Sequence, residues 1–408
     1  MKVLIWSQYF WPENFLINKL ATQLAGDDVE ITVVTGKPNY PDGNILPGYS
    51  ILGIQREDYS GIEVIRIPLL PRGSGSAIGL ILNYLSFIFS GYLMAPFALR
   101  GREFDAVFVY APSPLLQALP AVFISWLKRA KLAVWVQDLW PESLWTTGFV
   151  RNRFLLKLVE YVVRYIYRYS DSVLIQSHAF RDPVARLVSD KSKIRYFPNF
   201  CEDLKKSFFD SESPGSIAAE MHRHFSVVFA GNIGTVQSCE TIIAAAKLLK
   251  ENSAIKFYLV GSGSRSAFIQ SEVESEQLDN VILTGRLSQE NMPPIFSAAS
   301  ILLVTLKDDS ALSTTIPSKL QSYLSAGKPI VASLNGEPAR IVEEAGAGIV
   351  CPAESPELLA QAVLKFYQMP VDERERFGTN ARIYFKKHFD QETRVKELEE
   401  HFRELMCG

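Results

Sequence analysis

The chain has 408 residues, of which 48% are hydrophobic and 21% charged, a composition that excludes disordered and fibrous classes. Because single hydrophobic cores stop growing near ~250–300 residues, a chain of this length is expected to form two domains. Residues 1–200 contain 21 lysine and arginine residues against 16 acidic ones, whereas the remainder contains 21 against 28. The basic half is therefore expected to bind an anionic partner. We predict that this partner is not a nucleic acid.

The cysteines are scattered, without the paired spacing of a zinc site or a disulfide framework, which favours a reducing compartment. The opening run MKVLIWSQYF has the character of a short strand and not of a signal peptide. We therefore predict a cytoplasmic protein that uses no metal and no cofactor. The acidic pair Asp308 and Asp309 is interpreted as part of a surface turn rather than as a metal site.

Short apolar runs alternate with helical patterns through the first half of the chain. Runs rich in valine and isoleucine that are separated by helices predict a parallel sheet built from βαβ units. The predicted strands of this half are KVLIWS, EITVVTG, IEVIRIP, FDAVFVYA, LAVWVQD, SDSVLIQS and KIRYFPN.

Residues 77–99, AIGLILNYLSFIFSGYLMAPFAL, carry no charge over a length sufficient to cross a bilayer. Arg72, Arg100 and Arg102 flank this segment. The strand that follows must share a domain with the strands that precede it, which argues against a crossing. A transmembrane helix, a buried core helix and a monotopic helix partly embedded in the membrane remain as alternatives.

Residues 151–170, RNRFLLKLVEYVVRYIYRYS, form a helical pattern in which cations alternate with apolar and aromatic residues. A solvated helix with one buried stripe explains this pattern. Attraction to an anionic membrane surface is the alternative.

The second half repeats the βα pattern with SVVFAGNIG, IKFYLVGSG, NVILTGR, ASILLVTL, KPIVAS and AGIVCP. We predict a first Rossmann-like domain at residues 1–201, a linker at 202–224 and a second Rossmann-like domain at 225–385. Residues 386–408 are predicted to form a C-terminal helix, for which packing against the first domain is one alternative. Other two-domain α/β proteins share this periodicity, so the pattern alone indicates only two α/β domains with a cleft.

Five motifs occur in an order that is more specific than the periodicity. They are WSQYFWPENFLINKLATQLAG near the start, WVQDLWPESLWTTGF, RYFPNF at the domain junction, VVFAGNIG and IPSKLQSYLSAGKPIVASLNGE. In this order and spacing the chain resembles glycosyltransferase family 4, and within it the WbuB-like N-acetyl-L-fucosamine transferases of bacterial O-antigen and capsule synthesis. The resemblance covers most of the chain and implies the GT-B fold, two Rossmann-like domains that face each other across a cleft.

The donor loop of the second domain lacks the cations that many family members have there. Gly231 and Asn232 stand where backbone N–H groups can approach a phosphate, with Ser238 as a candidate helix cap, but no lysine or arginine follows before Lys247. The cation is therefore expected to come from Lys319, at the start of a helix whose dipole favours an anion.

The remaining donor contacts follow from the resemblance. Ser318 is expected to donate a hydrogen bond beside Lys319, and Gly261 to line the site. Arg286 and Leu287 stand where the family seats the uracil edge, with Arg265 as a further cation.

The family usually has a pair of glutamates in the IPSK helix, one near the sugar and one on the ribose. Those two positions are Thr314 and Ser322 here, so both carboxylates are absent. Ser322, helped by Glu337 from the following loop, is the predicted ribose contact. The resemblance implies retention of anomeric configuration.

Acceptor groups are expected at the rim of the first sheet. Asp138 and Glu142 follow a predicted strand, and Asp138 is the candidate general base, with a helix cap as its alternative role. The further acceptor candidates follow two other strands of this half: Glu13, Asn14, Asn39 and Tyr40.

The resemblance implies a transferase that moves an N-acetylated amino sugar from a UDP-sugar to a polyprenyl-diphosphate-linked saccharide. Such an enzyme is expected at the cytoplasmic face of the inner membrane, against an anionic lipid surface. A sugar-nucleotide epimerase of the same architecture and a non-catalytic glycan-assembly protein are the alternatives.

Overall fold

The computed structural model describes residues 1–73, 76–204 and 217–407. Within these residues the chain divides into two compact units, residues 1–198 together with 394–408, and residues 199–393. Most of the predicted linker, residues 205–216, lies outside the described residues.

The first unit is built on an eight-stranded sheet in the order β3-β4-β2-β1-β5-β6-β7-β8. All neighbouring strands are parallel except β3 and β4, which form an antiparallel pair. The strands are β1 (Lys2–Trp6), β2 (Glu30–Gly36), β3 (Gln55–Tyr59), β4 (Ile62–Ile67), β5 (Ala106–Ala111), β6 (Lys131–Val136), β7 (Ser172–Ile175) and β8 (Ile194–Tyr196). Helices cover the sheet: α1 (Leu16–Leu24), α2 (Ala77–Ala98), α3 (Ala118–Lys128), α4 (Glu142–Thr146), α5 (Arg153–Tyr169) and α6 (Arg181–Ala185).

Helix α2 is the long apolar segment, and it connects β4 to β5. Both strands belong to the same sheet, so α2 is a crossover helix that lies against the sheet. Among the described residues it is the one helix long and apolar enough to cross a membrane by length and composition, and 22% of its most apolar stretch is buried. A fully buried core helix, one of the three alternatives, is thereby excluded.

The second unit contains a six-stranded parallel sheet in the order β11-β10-β9-β12-β13-β14, the strand order of dinucleotide-binding sheets. Its strands are β9 (Phe225–Ala230), β10 (Ile255–Val260), β11 (Val281–Gly285), β12 (Ile301–Thr305), β13 (Ile330–Ser333) and β14 (Gly348–Cys351). Its helices are α7 (Ile217–Met221), α8 (Cys239–Leu248), α9 (Ser266–Ser275), α10 (Met292–Ala298), α11 (Ser318–Ala326), α12 (Glu337–Glu344), α13 (Pro356–Gln368) and α14 (Val371–His388). The two α/β domains predicted from periodicity are present.

The last helix, α15 (Gln391–Cys407), contributes its residues from Arg394 onward to the first unit. There the ring of Phe402 meets Phe108 of β5 edge to face at 5.5 Å, and His401 hydrogen bonds to the hydroxyl of Ser172 at 2.9 Å. The sheet of the first unit is thus covered in part by the end of the chain.

Apolar cores fill both faces of the second sheet. Strand β9 is buried along its whole length, as expected for a central parallel strand with helices on both sides. The strand order reverses between β9 and β12, which are neighbours in the sheet. In sheets of this kind ligands bind beyond the carboxyl ends of the strands where the order reverses. A binding site is therefore expected at the carboxyl ends of β9 and β12.

Candidate active site

A cavity of about 390 Å³ opens at the carboxyl ends of β9, β10 and β11. Five of the predicted donor residues line it: Gly231, Asn232, Gly261, Arg286 and Leu287. The structure therefore brings together the loops after three neighbouring strands, which are far apart in the chain.

Two glycines allow these loops to pass within contact distance of each other. Gly261 has a φ of +146°, and a Cβ there would lie 1.8 Å from the carbonyl oxygen of Gly231, whose own φ is +137°. Hydrogen bonds join the loops: the Gly231 N–H donates to Val260, and the Gly261 N–H donates to Gly285. No side chain fits between the two loops, so the cavity floor is bare backbone.

Lys319 lies beside this floor. Its Nζ is buried and has no hydrogen-bond partner among the described residues, and it sits 3.7 Å from the ring centroid of Phe229. A Cβ at position 231 would be 3.2 Å from the same nitrogen, which places the ammonium next to Gly231. Burial lowers the pKa of Lys319 to about 8. A buried cation without an anion is costly, so its retention here points to an anionic ligand.

Helix α11 holds Lys319 in this position. Pro317 precedes the helix in an extended conformation, and Gly327 ends it with a φ of +69°. Tyr323 lies on the same helix face as Lys319, and its hydroxyl accepts from the Ala230 N–H at 2.8 Å and donates to the Ala230 carbonyl at 3.3 Å. Sequence reasoning missed Tyr323, although its spacing of one helical turn from Lys319 is visible in the sequence.

Two of the other predicted donor groups, Ser322 and Glu337, have partners within the second unit. The Ser322 hydroxyl donates weakly to the Ser318 carbonyl of its own helix at 3.4 Å, while the Ser318 side chain is exposed. Glu337, the first residue of α12, is buried, and its two oxygens accept from Arg340 at 2.8 and 2.9 Å. If Glu337 contacts the ribose, its carboxylate therefore binds the ribose and Arg340 at the same time.

Two minor expectations for this loop are settled by local contacts. Ser238 occupies the helix cap position with a φ of +47°, but its hydroxyl pairs with Thr241 at 2.9 Å and caps no backbone N–H, so the predicted side-chain cap is wrong. Arg265 is bound by Glu240 at 2.6 and 2.9 Å, which neutralises this second candidate cation.

Asp138 follows β6 in the first unit, as the sequence predicts. Its Oδ2 accepts from Ser143 Oγ at 3.0 Å and from Trp140 Nε1 at 3.2 Å. Burial raises the pKa of Asp138, against the opposing effect of these two donors. Glu142, the first residue of α4, is exposed. Asp138 thus has the partly buried, oriented carboxylate that proton transfer requires, and its contacts with Ser143 also fit the alternative role in the local loop.

The predicted acceptor residues of the first unit divide into buried and exposed ones. The Glu13 Oε1 accepts from the backbone N–H groups of Asn39 and Tyr40 at 2.8 and 2.7 Å, and burial raises the pKa of this carboxyl. The Asn39 amide is also buried and donates to the Lys37 carbonyl. Asn14 and Tyr40 are exposed. Glu13 and Asn39 therefore hold the rim loop in shape, whereas the Tyr40 side chain is partly open to solvent.

Sequence reasoning missed an aromatic cluster at this rim. Tyr9 stacks on Phe15 at 5.0 Å, Phe15 meets Tyr40 at 5.3 Å, and the Arg72 guanidinium lies 5.1 Å from the Tyr40 ring centroid. Aromatic faces and a guanidinium suit sugar rings and phosphate groups respectively.

The described residues contain no group of three or more histidine, cysteine, aspartate or glutamate side chains that could hold a metal ion. In the acidic pair, Asp309 Oδ1 accepts from the backbone N–H groups of Ala311 and Leu312, and Asp308 accepts from Asn335 at 2.9 Å. The pair therefore shapes a turn.

Solved structures share this architecture over the whole chain. Anabaena HepE, solved in complex with UDP, has a TM-score of 0.70 at 13% identity, covering 99% of this chain and 100% of that one. Sucrose-phosphate synthase from Thermosynechococcus elongatus has a TM-score of 0.69 at 17% identity, covering 100% and 99%. The predicted GT-B fold is confirmed.

Two family models divide the chain between them. Residues 16–199 match the glycosyl transferase 4-like domain, and residues 218–384 match the glycosyl transferases group 1. The first part of the chain is therefore a glycosyl transferase 4-like domain and the second belongs to the glycosyl transferases group 1, which confirms the predicted transferase.

Two bacterial relatives are similar in sequence. WbjE of Pseudomonas aeruginosa, named as a probable glycosyltransferase, is 25% identical over 74% of both chains. WcaI of Escherichia coli strain K12, named for colanic acid biosynthesis, is 22% identical over 98% of both chains.

Proposed function

We propose that the protein transfers an N-acetylated amino sugar, with N-acetyl-L-fucosamine as the first candidate, from a UDP-sugar to a polyprenyl-diphosphate-linked saccharide. The reaction would take place at the cytoplasmic face of the inner membrane, in the synthesis of an O-antigen or capsule. The observation that carries this proposal is the buried ammonium of Lys319 beside Gly231, which has no hydrogen-bond partner within the described residues.

Lys319 supplies the charge that the leaving group needs. When the bond between sugar and diphosphate breaks, negative charge develops on the diphosphate, and a cation in a site of low dielectric stabilises it strongly. Lys319 stands near the start of α11, where the helix dipole adds to its effect. The bare loop at Gly231 lets the phosphate approach both the ammonium and the backbone.

The cavity beside this charge has room for the nucleoside. Arg286 and Leu287 lie on its wall, Leu287 with the partial burial that suits a base edge. The HepE structure in complex with UDP supports a uridine nucleotide as the ligand of a fold of this kind. UDP rather than another nucleotide follows from the motif resemblance.

The acceptor assignment rests on the first domain and on the relatives. WcaI is named for colanic acid biosynthesis, which supports a role in the assembly of a bacterial polysaccharide. The excess of cations in residues 1–200 suits an acceptor that carries a diphosphate. Asp138 would orient the attacking hydroxyl and accept its proton, for which a raised pKa is favourable.

The nucleotide is tested first, by thermal unfolding with UDP, GDP and TDP. A ligand that binds the native state raises the unfolding temperature by mass action, and at a concentration of 100 Kd the gain is about 2.7 kcal/mol. We expect a rise with UDP and little or none with GDP or TDP. Equal shifts with all three would contradict the assignment of the base.

The reaction is tested with UDP-N-acetyl-L-fucosamine and a polyprenyl-diphosphate saccharide. Transfer releases UDP and lengthens the lipid-linked glycan by one sugar, which mass spectrometry detects. UDP-N-acetylglucosamine serves as the competing donor. Turnover of that donor alone would keep the transferase and change the sugar, whereas neither UDP release nor a longer glycan with any donor would refute the proposal.

A further inference from the structure

Helix α2 is apolar on its outer face as well as on the face that packs into the core, where Phe87 is buried. Asn83 is completely buried and hydrogen bonds to Gln8 and to the Leu70 carbonyl, at 2.7 and 2.6 Å. Phe89 and Phe97 are 66% and 76% exposed. The other exposed apolar residues of α2 are Ile78, Ile81, Leu82, Leu85, Tyr92 and Leu93. Helices on a water-facing surface bury their apolar stripe, so this outer face is built for an apolar neighbour.

Helix α5 adds a second exposed apolar stripe, this one bordered by cations. Phe154 and Tyr161 are 74% and 71% exposed, and Leu158, Tyr165 and Tyr169 continue the stripe at helical spacing. An adjacent stripe of exposed cations runs along the same helix: Arg153, Lys157, Arg164 and Arg168. On the opposite face Val163, Ile166 and Tyr167 are buried against the domain.

Helix α3 joins the two stripes. It packs against α2 on one side and α5 on the other. Tyr92 of α2 meets Phe123 of α3 at 5.7 Å, Phe123 stacks on Trp126 at 6.0 Å, and the Trp126 ring is exposed. A groove of about 890 Å³ runs between these rings and Tyr165 of α5, with Arg129 at its edge. The apolar surface is therefore continuous across three helices.

We propose that the outer faces of α2, α3 and α5 form one membrane-docking face, seated in the headgroup and upper acyl region of a bilayer of anionic phospholipid. Helix α2 then lies along the membrane surface without crossing it. The inference rests on the proposed function in one respect, because a lipid-linked acceptor requires the enzyme to work at a membrane.

Charge favours a bilayer over a second copy of the chain as the occupant. The cationic stripe of α5 borders the apolar one, and its single acid, Glu160, is paired with Arg164 at 2.8 Å. A second copy would bring this stripe against like charge or against apolar rings, whereas anionic headgroups meet the cations while acyl chains meet the rings. Tyrosine and tryptophan are also the side chains that membrane interfaces prefer.

The topology excludes a crossing. Helix α2 connects β4 to β5, and both strands belong to one sheet that also contains β1 and β2 between them. A bilayer cannot separate strands that are hydrogen bonded into one sheet. An in-plane helix satisfies both this constraint and the exposed apolar face.

Vesicle flotation with the full-length protein tests the face. We expect the wild type to float with vesicles of 70% phosphatidylcholine and 30% phosphatidylglycerol and to bind pure phosphatidylcholine at least about fivefold more weakly. Phe89→Gln with Leu93→Gln on α2, and separately Phe154→Gln with Leu158→Gln on α5, are expected to lower partitioning at least about tenfold. Lys157→Gln with Arg168→Gln is expected to lower binding to the anionic vesicles and leave the neutral ones unaffected.

Ile383→Gln is the matched control, since Ile383 is an apolar side chain 63% exposed on α14 of the other unit. It is expected to float like the wild type. All the changed side chains are exposed, and a circular dichroism spectrum and an unfolding temperature like those of the wild type would show that each variant is folded. Wild-type protein that stays at the bottom of the gradient, or docking-face variants that float as well as Ile383→Gln, would overturn the proposal.

Sedimentation velocity without lipid distinguishes a second copy as the occupant. A wild-type dimer that becomes monomeric in Phe89→Gln with Leu93→Gln, without vesicle binding, would also overturn the proposal. Failure of the proposed function gives a different pattern, because vesicle binding would then persist while no UDP-sugar is consumed. Docking-face variants that lose vesicle binding but still transfer sugar to a water-soluble short-chain acceptor would show that the membrane-docking face is separate from the catalytic site.

Discussion

The ammonium of Lys319 lies 3.7 Å from the ring centroid of Phe229 and has no hydrogen-bond partner among the described residues. The ring offsets part of the cost of burying this charge, since a cation over an aromatic face is stabilised by about 0.5–2 kcal/mol. The rest of this cost lowers the stability of the ligand-free protein.

Lys319→Met is expected to change stability and binding in opposite directions. It keeps the length of the side chain and removes an uncompensated charge, so the ligand-free protein should gain on the order of 1–3 kcal/mol and unfold a few degrees higher. UDP affinity should fall about 10- to 100-fold, the usual contribution of charge-assisted hydrogen bonds. Calorimetry and thermal unfolding measure the two effects. A variant that binds UDP as tightly as the wild type would remove Lys319 from the site.

UDP affinity is expected to decline at alkaline pH. The pKa of Lys319 is lowered by burial to about 8, so the free protein loses this proton as the pH rises through 8. A bound diphosphate favours the charged form and raises the pKa in the complex. Affinity should therefore be constant near pH 7 and fall above pH 8, by at most about tenfold per pH unit. Calorimetry between pH 7 and 9.5 checks this, and Lys319→Arg, which stays charged, should give a flat profile.

Tyr323→Phe is expected to loosen the attachment of α11 to β9. The change leaves the buried Ala230 N–H without its acceptor, at a cost of about 1–3 kcal/mol, and UDP affinity should drop severalfold because Lys319 is held less firmly. Tyr258→Phe is the matched control, since the Tyr258 hydroxyl is buried without a hydrogen-bond partner in the described part of the chain. Its removal should be neutral or stabilising. Equal destabilisation by both changes would contradict a positioning role for Tyr323.

Asp138→Asn is expected to lower turnover at least about 100-fold without changing UDP affinity, because a general base acts in the chemical step. The amide oxygen can still accept from Ser143, so the loop should keep its shape. Asp182→Asn, at an exposed aspartate of α6, is the control and should have wild-type turnover. Undiminished turnover of Asp138→Asn would leave Asp138 with its alternative role as part of the local loop.

The apolar periodicity of the chain predicts every strand of the two described sheets except β3. That strand, Gln55–Tyr59, lies at the edge of the first sheet, and its alternation of partly buried and exposed polar residues carries no apolar pattern. Edge strands are often polar because one side of their backbone is open to water. Central strands must fill both faces of the sheet, so their composition identifies them.

The sequence alone determined the two α/β domains, the Gly231 loop with its missing cations, and the helix start that carries Lys319, because these depend on neighbouring residues. Tertiary structure decided which groups are free to act. Glu13 and Glu337 have candidate positions in the sequence, but both accept hydrogen bonds from other protein groups, whereas the Lys319 ammonium has no hydrogen-bond partner in the described part of the chain. The outward apolar face of α2 was likewise decided by packing, since composition states how apolar a helix is, and only the neighbours of each side chain determine which face meets water.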